Sequence, residues 1–171
     1  MPNFPMESPV SRFSVRDLTF AAVIGAAYAV LSLGASVFGV AYGPIQCRFS
    51  EALCVLPFLF PAATPGLFVG CLIANLLSPY GLLDIVFGSL ATLLAAVLTG
   101  RCKRLWLAPL PPILCNAILV GGVIAFQQVA LDGGAFAAAF AMNAFTVGLG
   151  EALVCYLLGL PLLLSLRRFR R

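Results

Sequence analysis

The sequence contains no histidine, so it lacks the residue that most often binds metal ions in proteins. Its six cysteines are scattered, and none of them belongs to a C-x-x-C pair. A metal centre of ordinary type therefore has almost no ligands to draw on, and we expect neither a metal site nor a cofactor. We interpret the cysteines as small apolar packing residues, with a disulfide between Cys47 and Cys54 as a minor alternative.

Charged residues are also scarce. They make up 9% of the 171 residues, whereas hydrophobic residues make up 62% and the mean hydropathy is +1.08. A water-soluble domain carries about 25% charged residues. So few polar residues cannot cover the surface of a water-soluble protein, so we expect this protein to lie in a lipid bilayer. The apolar runs leave no room for a second domain, so the chain is predicted to be a single integral-membrane domain over residues 1–171.

Catalytic and energy-coupling motifs are missing as well. There is no G-x-x-x-x-G-K-[ST] phosphate loop, so we expect no ATPase activity in this chain. There is no G-x-S-x-G motif, and without histidine the carboxylates have no partner base, so we expect no enzyme. The net charge of +4 does not indicate nucleic-acid binding, because no basic face with interleaved aromatics is present.

The basic residues that are present indicate a membrane topology. Nine of the ten lie in three clusters: Arg12 and Arg16; Arg101, Lys103 and Arg104; and Arg167, Arg168, Arg170 and Arg171. Such clusters mark the cytoplasmic surface. Apolar runs cover residues 18–40, 52–63, 66–78, 82–99, 105–129 and 136–166. Because a spanning helix needs about 20 residues, the second and third runs are individually short.

These two short runs decide the number of spans. If residues 52–77 formed one helix, there would be five spans, and the second and third basic clusters would lie outside the cell. A hairpin at Pro65-Gly66 gives six spans and places all nine clustered bases in the cytoplasm. The turn signal Thr64-Pro65-Gly66 supports this hairpin. We therefore predict an all-α membrane protein of six transmembrane helices, with its N- and C-termini in the cytoplasm.

Polar side chains retained near or inside the apolar runs mark a candidate binding site. A carboxylate at the centre of a span costs about 2.5–3.5 kcal/mol on insertion scales. The six-span topology places these residues in the outer half of the bundle: Arg48, Glu51, Asn75, Asp84, Asn116, Gln127 and Glu151. One arginine cannot neutralise three acids, so at least one acid is expected to meet a donor-rich or cationic ligand, or a proton. A simple Arg48–Glu51 salt bridge and interhelical hydrogen bonds from the asparagines are the alternatives.

The first apolar run carries a seam of small residues. Ala22, Ala26 and Ala29 follow the spacing i, i+4, i+7, with Gly25 beside them. Small residues allow another helix to approach closely in a membrane. The seam is predicted either to pack inside the bundle or to bind a partner protein.

The region around the polar residues also resembles a known family. The resemblance rests on Gly43-Pro44-Ile45-Gln46, on Arg48 and Ser50-Glu51-Ala52-Leu53, on Pro65-Gly66-Leu67-Phe68, and on residues 70–77 and 81–93. In these motifs the chain resembles the QueT family, the substrate-binding S components of energy-coupling factor (ECF) transporters for queuosine precursors. The resemblance covers nearly all of the chain and is densest between Gly43 and Leu93.

The resemblance implies a fold, partners and a substrate class. The fold would have six membrane helices in the cell membrane of a prokaryote, and the partners would be a membrane coupling protein and two cytoplasmic ATPases. S components of this type use an A-x-x-x-A motif on helix one to engage the coupling protein, and Ala22 and Ala26 fit it. The implied substrate is a 7-deazaguanine base such as preQ1, preQ0 or queuine, taken up from outside.

A deazaguanine base suits the polar residues chemically. Its N–H donors can be accepted in pairs by a carboxylate, an aminomethyl group would attract a second carboxylate, and Tyr42 or Phe49 could stack on the ring. Two other interpretations stay open. The chain could be an S component or carrier for another small vitamin-like nitrogenous solute, or an assembly subunit whose acids merely pair.

Overall fold

The structure is a computed structural model that describes residues 14–39, 47–78, 80–132 and 134–169. Its α-helices are α1 (Val15–Val37), α2 (Ala63–Asn75), α3 (Gly81–Arg101), α4 (Leu110–Asp132), α5 (Phe136–Val154) and α6 (Leu160–Phe169). A 3-10 helix of ten residues, Phe49–Phe58, precedes α2, and a short 3-10 turn, Leu105–Leu107, precedes α4. A π-helical segment, Cys155–Gly159, joins α5 to α6. The described ranges contain no β-strand.

Among the described residues, four helical segments are long and apolar enough to cross a membrane: Val15–Val37, Gly81–Arg101, Leu105–Ala130 and Phe136–Arg168. The 3-10 helix Phe49–Phe58 and α2 are shorter apolar helices. Each of these two is about 20 Å long by its helical rise, less than the roughly 30 Å of a hydrocarbon core. In the part of the chain that it describes, the structure thus confirms an all-helical fold with four long and two short apolar helical segments.

The 3-10 helix and α2 form the hairpin, but its turn lies elsewhere than predicted. The turn occupies residues 59–62, where the amides of Leu59 and Phe60 donate to the Leu56 carbonyl oxygen at 3.0 and 2.8 Å. The predicted break at Pro65-Gly66 is wrong, because both residues lie in the first turn of α2. Proline is tolerated there, since the first amides of a helix have no intrahelical acceptor.

Glycines bring α1 and α2 into direct backbone contact. A methyl group on Gly66 would collide with the Ala21 carbonyl oxygen, and one on Gly70 would lie 2.5 Å from the Gly25 carbonyl oxygen. Because Ala21 meets Gly66 and Gly25 meets Gly70, the two helices run in the same direction. This close approach is the usual role of small residues four apart in membrane helices.

The contacts also separate two ends of the bundle, which we call the basic end and the polar end. At the basic end the hairpin turn meets α1, where the rings of Phe20 and Phe60 lie 5.3 Å apart, and Leu105 packs near Leu163. The described basic residues of the three clusters lie at this end: Arg16, Arg101, Lys103, Arg104, Arg167 and Arg168. The polar end holds Arg48, Tyr80 and Gln127. The three clusters of bases are therefore separated in the fold from the acids of the apolar runs, as the sequence indicated.

Two further predictions from the sequence, the start of α1 and the state of the cysteines, can be compared with the structure. Helix α1 begins three residues before its predicted start because Ser14 and Asp17 form a capping box, in which the Asp17 carboxylate accepts from the Ser14 amide at 3.1 Å. All six cysteines are free thiols, so the alternative of a Cys47–Cys54 disulfide is wrong.

Candidate functional site

Most of the polar residues predicted to form a site are buried inside the bundle. Six of the seven are at most 7% exposed: Arg48, Glu51, Asn75, Asp84, Asn116 and Glu151. The seventh, Gln127, is partly buried, and its amide donates to the Tyr80 carbonyl oxygen at 2.7 Å. The buried residues divide into two groups that differ in their charge balance.

The first group, which we call the Arg48 group, consists of Arg48, Asn75, Ser78 and Asp84. The guanidinium donates to Asp84 Oδ2 and to Asn75 Oδ1, each at 3.2 Å. The Ser78 hydroxyl donates to the same Asp84 oxygen at 2.5 Å, and the Asn75 amide donates to the Asp84 carbonyl oxygen at 3.1 Å. A base, an acid, an amide and a hydroxyl thus tie the start of the 3-10 helix to the α2–α3 connection.

The partner of Arg48 differs from the alternative that the sequence suggested. In the described part of the chain its ion pair is with Asp84, not with Glu51 three residues away. The backbone of Arg48 is extended, with φ −90° and ψ 104°, because it caps the 3-10 helix rather than belonging to it. The i, i+3 geometry that a helical pair requires is therefore absent.

Asp84 retains an unused acceptor. Its Oδ1 atom is buried and has no hydrogen-bond partner among the described residues. Gly88, one turn later on α3, makes room for this carboxylate, since a methyl group there would lie 2.8 Å from Oδ1 and 2.7 Å from the Asn75 amide nitrogen. A buried unpaired carboxylate oxygen is costly unless a ligand or water donates to it.

The second group, which we call the glutamate group, lies deeper. It consists of six residues: Tyr28, Glu51, Cys54, Asn116, Glu151 and Cys155. Glu51 accepts from the Tyr28 hydroxyl through Oε1 and from the Cys54 thiol through Oε2, the latter at 3.0 Å. Glu151 accepts from the Asn116 amide at 2.9 Å. The Cys155 sulfur lies 3.5 Å from the Glu51 carbonyl oxygen and 3.9 Å from Glu151 Oε2, so it contacts both glutamates.

The two groups are held by different kinds of donor. Asp84 has a guanidinium partner, whereas the donors to Glu51 and Glu151 are a hydroxyl, thiols and an amide. No lysine or arginine within the described ranges forms an ion pair with either glutamate. Because a buried charge without a counter-charge is costly, a cation or a dense set of donors would stabilise this group most.

Sequence reasoning missed three members of the glutamate group: Tyr28, Cys54 and Cys155. Spacing was the available signal, because Cys54 follows Glu51 by three residues and Cys155 follows Glu151 by four. These intervals place a side chain on the same helical face. For Tyr28 the signal was weaker, a single hydroxyl on the buried face of α1 between Gly25 and Ser32.

The remaining predicted residues have separate positions. Phe49 begins the 3-10 helix and is 40% exposed, whereas Tyr42 lies outside the described residues.

In the seam of α1, Ala22 and Ala26 are exposed but Ala29 is buried. Ala22 and Ala26 line an apolar groove of about 390 Å³ between α1 and α2, together with Pro65 and Val69. In the part of the chain that the structure describes, no three cysteine or acidic side chains are grouped so as to hold a metal ion.

Comparison with known proteins relates this arrangement to a family. The family model described as the QueT transporter matches residues 18–168, which is most of the chain. The chain belongs to the QueT transporter family. A protein of Lactococcus lactis subsp. cremoris named queuosine precursor transporter QueT is 33% identical over 92 residues, which are 52% of this chain and 54% of that protein. The match therefore spans about half the length of that relative. No solved structure matches this chain.

Family membership confirms the resemblance drawn from the sequence motifs. Together with the four long and two shorter apolar helices, it identifies a multi-pass membrane protein of a transporter family. The polar groups described above lie between these helices, where such proteins place their functional charges.

Proposed function

We propose that this chain is the substrate-binding S component of an ECF importer and that it binds a queuosine precursor, a 7-deazaguanine base such as preQ1, preQ0 or queuine. The family membership and the name of the Lactococcus relative support this substrate class. The observation that carries the proposal is the glutamate group, in which two buried carboxylates are held by neutral donors.

The chemistry of a deazaguanine fits this group. Its guanine-like edge presents neighbouring N–H donors, and one carboxylate can accept two of them. The aminomethyl group of preQ1 adds a positive charge that a second carboxylate would stabilise. In the proposal Glu51 and Glu151 supply these two charges, and Asn116, already in contact with Glu151 at 2.9 Å, meets the ring carbonyl.

The Arg48 group forms the part of the proposed site that lies nearest the polar end. Asp84 Oδ1, buried and without a described partner, is available to accept a further ligand N–H. Arg48, Asn75 and Gln127 hold this region through contacts with Asp84 and with the backbone of Tyr80. Phe49, at the edge of the site, and Tyr42 are the candidates for stacking on the base.

The distribution of charge supports an orientation in the membrane. Because bases accumulate on the cytoplasmic side, we propose that the basic end and both termini face the cytoplasm of a prokaryotic cell. The polar end then faces outside, where the ligand is captured. Since the chain has no phosphate-binding loop, the energy for transport would come from two cytoplasmic ATPases acting through a membrane coupling protein.

The groove between α1 and α2 is the proposed contact with the coupling protein. It is apolar, it is lined by the exposed Ala22 and Ala26, and it lies toward the basic end. Ala29 belongs to the inner face of α1 and supports the packing of that helix. Small exposed side chains in a groove allow a partner helix to approach closely.

The test of the substrate is binding to the purified protein in detergent. Isothermal titration and thermal shift would be measured with preQ1, preQ0, queuine and guanine. We expect at least one precursor to bind and to raise the melting temperature. Glu51→Gln and Glu151→Gln should each weaken binding at least about tenfold, because a charge-assisted acceptor is lost.

The matched control is Asp17→Asn, which replaces a half-buried carboxylate at the start of α1, at the basic end and away from both polar groups. Unchanged affinity in both glutamine variants would contradict the assignment of the site. If no deazaguanine binds but a vitamin-like nitrogenous solute does, the chain is an S component or carrier for that solute. If no small molecule binds, the interpretation as an assembly subunit gains support.

The partner contact can be tested by co-purification with a co-expressed coupling protein and its ATPases. Ala26→Leu should reduce co-purification by filling the groove, while ligand binding should remain. Val30→Leu, at a position of α1 that is 68% exposed and outside the groove, is the control. Equal recovery of the complex in both variants would contradict the proposed contact.

A further inference from the structure

Four buried residues follow one another at intervals of four along the last membrane span. They are Glu151, Cys155, Gly159 and Leu163. Three of them contact the 3-10 helix. The Cys155 sulfur lies 3.5 Å from the Glu51 carbonyl oxygen, a methyl group on Gly159 would lie 3.1 Å from the Ala52 carbonyl oxygen, and Leu163 packs with Val55. The span therefore presents one straight face to its neighbour.

A regular α-helix cannot keep these residues on one face. Each residue turns the helix by about 100°, so an interval of four residues adds about 40°. Over the three intervals from Glu151 to Leu163 the drift would reach about 120°. If Leu163 then stayed packed near Val55, Glu151 would turn away from Asn116 and from the 3-10 helix.

The π segment Cys155–Gly159 removes this drift. The Leu160 amide donates to the Cys155 carbonyl oxygen, five residues back, so one extra residue is accommodated in a wider turn. With the π turn, the twelve residue-to-residue steps from Glu151 to Leu163 rotate the helix by as much as eleven steps of a regular α-helix. The two residues then lie about 20° apart around the helix axis. The extra residue bulges on the outer side, where Leu157 and Leu158 are 66% and 48% exposed.

Pro161 explains why the wider turn lies here. Proline has no amide hydrogen, and in a regular helix its ring clashes with the carbonyl oxygen four residues earlier, which is that of Leu157. A π turn relieves this clash by displacing that part of the backbone. Gly159 allows the close approach, because a side chain would press on Ala52 and Val55.

We propose that the π segment is a positioning element of the site. It keeps Glu151 turned toward Asn116 and the 3-10 helix while Leu163 stays packed with Val55 of that helix. The partner surface is itself unusual, since 3-10 helices rarely exceed four residues and this one has ten. The role of the segment in ligand binding rests on the proposed function. Its role in orienting Glu151 does not.

Deletion and insertion of single residues test the proposal. In a regular helix, both changes rotate the following part by about 100° and should be equally damaging. In a Pro161→Ala background, deletion of Leu158 would leave a regular helix with Glu151 and Leu163 still on one face. Insertion of one alanine after Leu158 would rotate them apart. We expect the deletion variant to keep the melting temperature of the Pro161→Ala protein and the insertion variant to lose it.

A matched control comes from the regular part of the same span. Phe145 in α5 faces outward with 69% exposure, so its deletion removes little packing but rotates the helix. We expect this deletion to be as damaging as the insertion. With a deazaguanine ligand, the Leu158 deletion should keep affinity within about threefold and the insertion should weaken it at least about tenfold.

The outcomes separate the proposals. Equal damage from deletion and insertion at Leu158 would show an ordinary helix and overturn the positioning role. Equal tolerance would also overturn it, because the rotation of Glu151 would then have no effect. If the wild-type protein binds no deazaguanine, the proposed function fails, but the melting temperatures still decide whether the π segment orients Glu151.

Discussion

The Arg48 group and the glutamate group both contain buried acids, but the hydrogen-bonding partners of these acids differ. In the Arg48 group the Asp84 carboxylate is paired with a guanidinium at 3.2 Å and receives a hydroxyl donor as well. In the glutamate group Glu51 and Glu151 receive only neutral donors in the described part of the chain. The first arrangement is largely satisfied within the protein, and the second has two carboxyl groups without a counter-charge.

From this difference we expect the Arg48 group to act mainly in stability and the glutamate group mainly in ligand binding. A paired group that joins the 3-10 helix to the α2–α3 connection should matter for stability whether or not a ligand is present. A group of two acids without a counter-charge should matter for binding, and its carboxyl groups should be dispensable or even unfavourable for the empty protein. Substitutions that keep size but remove charge can separate these two roles.

The largest effect is expected from Arg48→Met. It leaves Asp84 buried without its cation, which costs about 3–5 kcal/mol in comparable buried pairs. The measurement is the melting temperature of the purified protein in detergent, together with its yield. Arg16→Met is the control, because Arg16 is exposed at the basic end and should change little. Equal melting temperatures of the two variants would remove the structural role of the Arg48 group.

A smaller loss is expected from Tyr28→Phe in the glutamate group. The ring stays, but Glu51 loses a hydroxyl donor in a fully buried position, which should cost about 1.5–3 kcal/mol for a bond to a charged acceptor. Tyr156→Phe is the matched control, since that hydroxyl donates to the Trp106 carbonyl oxygen at 3.2 Å in an exposed setting. If both variants melt at the same temperature, the Tyr28 hydroxyl does not support Glu51.

Gly88→Ala tests the packing of the Arg48 group. The new methyl group would lie 2.7 Å from the Asn75 amide nitrogen and 2.8 Å from Asp84 Oδ1, so one of them must move. Overpacking of this kind costs about 1–3 kcal/mol. Gly34→Ala on α1 is the control, because nothing lies within 4 Å of its added methyl group and alanine favours the helix. A melting temperature that rises in both variants would show that the group is loosely packed.

The sequence was sufficient for the all-helical fold and for most of the buried polar residues. Basic clusters and apolar runs obey strong rules in membranes, so the separation of the basic end and the six apolar helices could be predicted. Arg48, Glu51, Asp84 and Glu151 could be found because a charge in an apolar segment is costly enough to stand out.

Finer features could not be predicted because their energies are small or depend on contacts distant in sequence. The pairing of Arg48 with Asp84 rather than Glu51 depends on how the 3-10 helix meets α3. The 3-10 and π geometries replace α-helix at Phe49–Phe58 and Cys155–Gly159, and only prolines such as Pro161 hint at them. The thiols of Cys54 and Cys155 resemble packing residues until their neighbouring glutamates are seen.

The smallest effect on stability, and the sharpest contrast with Arg48→Met, is expected from Glu151→Gln. Glutamine keeps the size of the side chain and an oxygen that can still accept from the Asn116 amide, while it removes one of two buried carboxyl groups that have no cationic partner among the described residues. The melting temperature of the empty protein should therefore stay the same or rise, because a buried carboxyl group without a counter-charge is replaced by a neutral amide. Binding of a deazaguanine should weaken at least about tenfold, since a charge-assisted acceptor becomes a neutral one. Thermal shift without and with ligand measures both quantities on the same sample. A fall in stability as large as that of Arg48→Met would mean that both groups are structural, and the distinction between them would be lost.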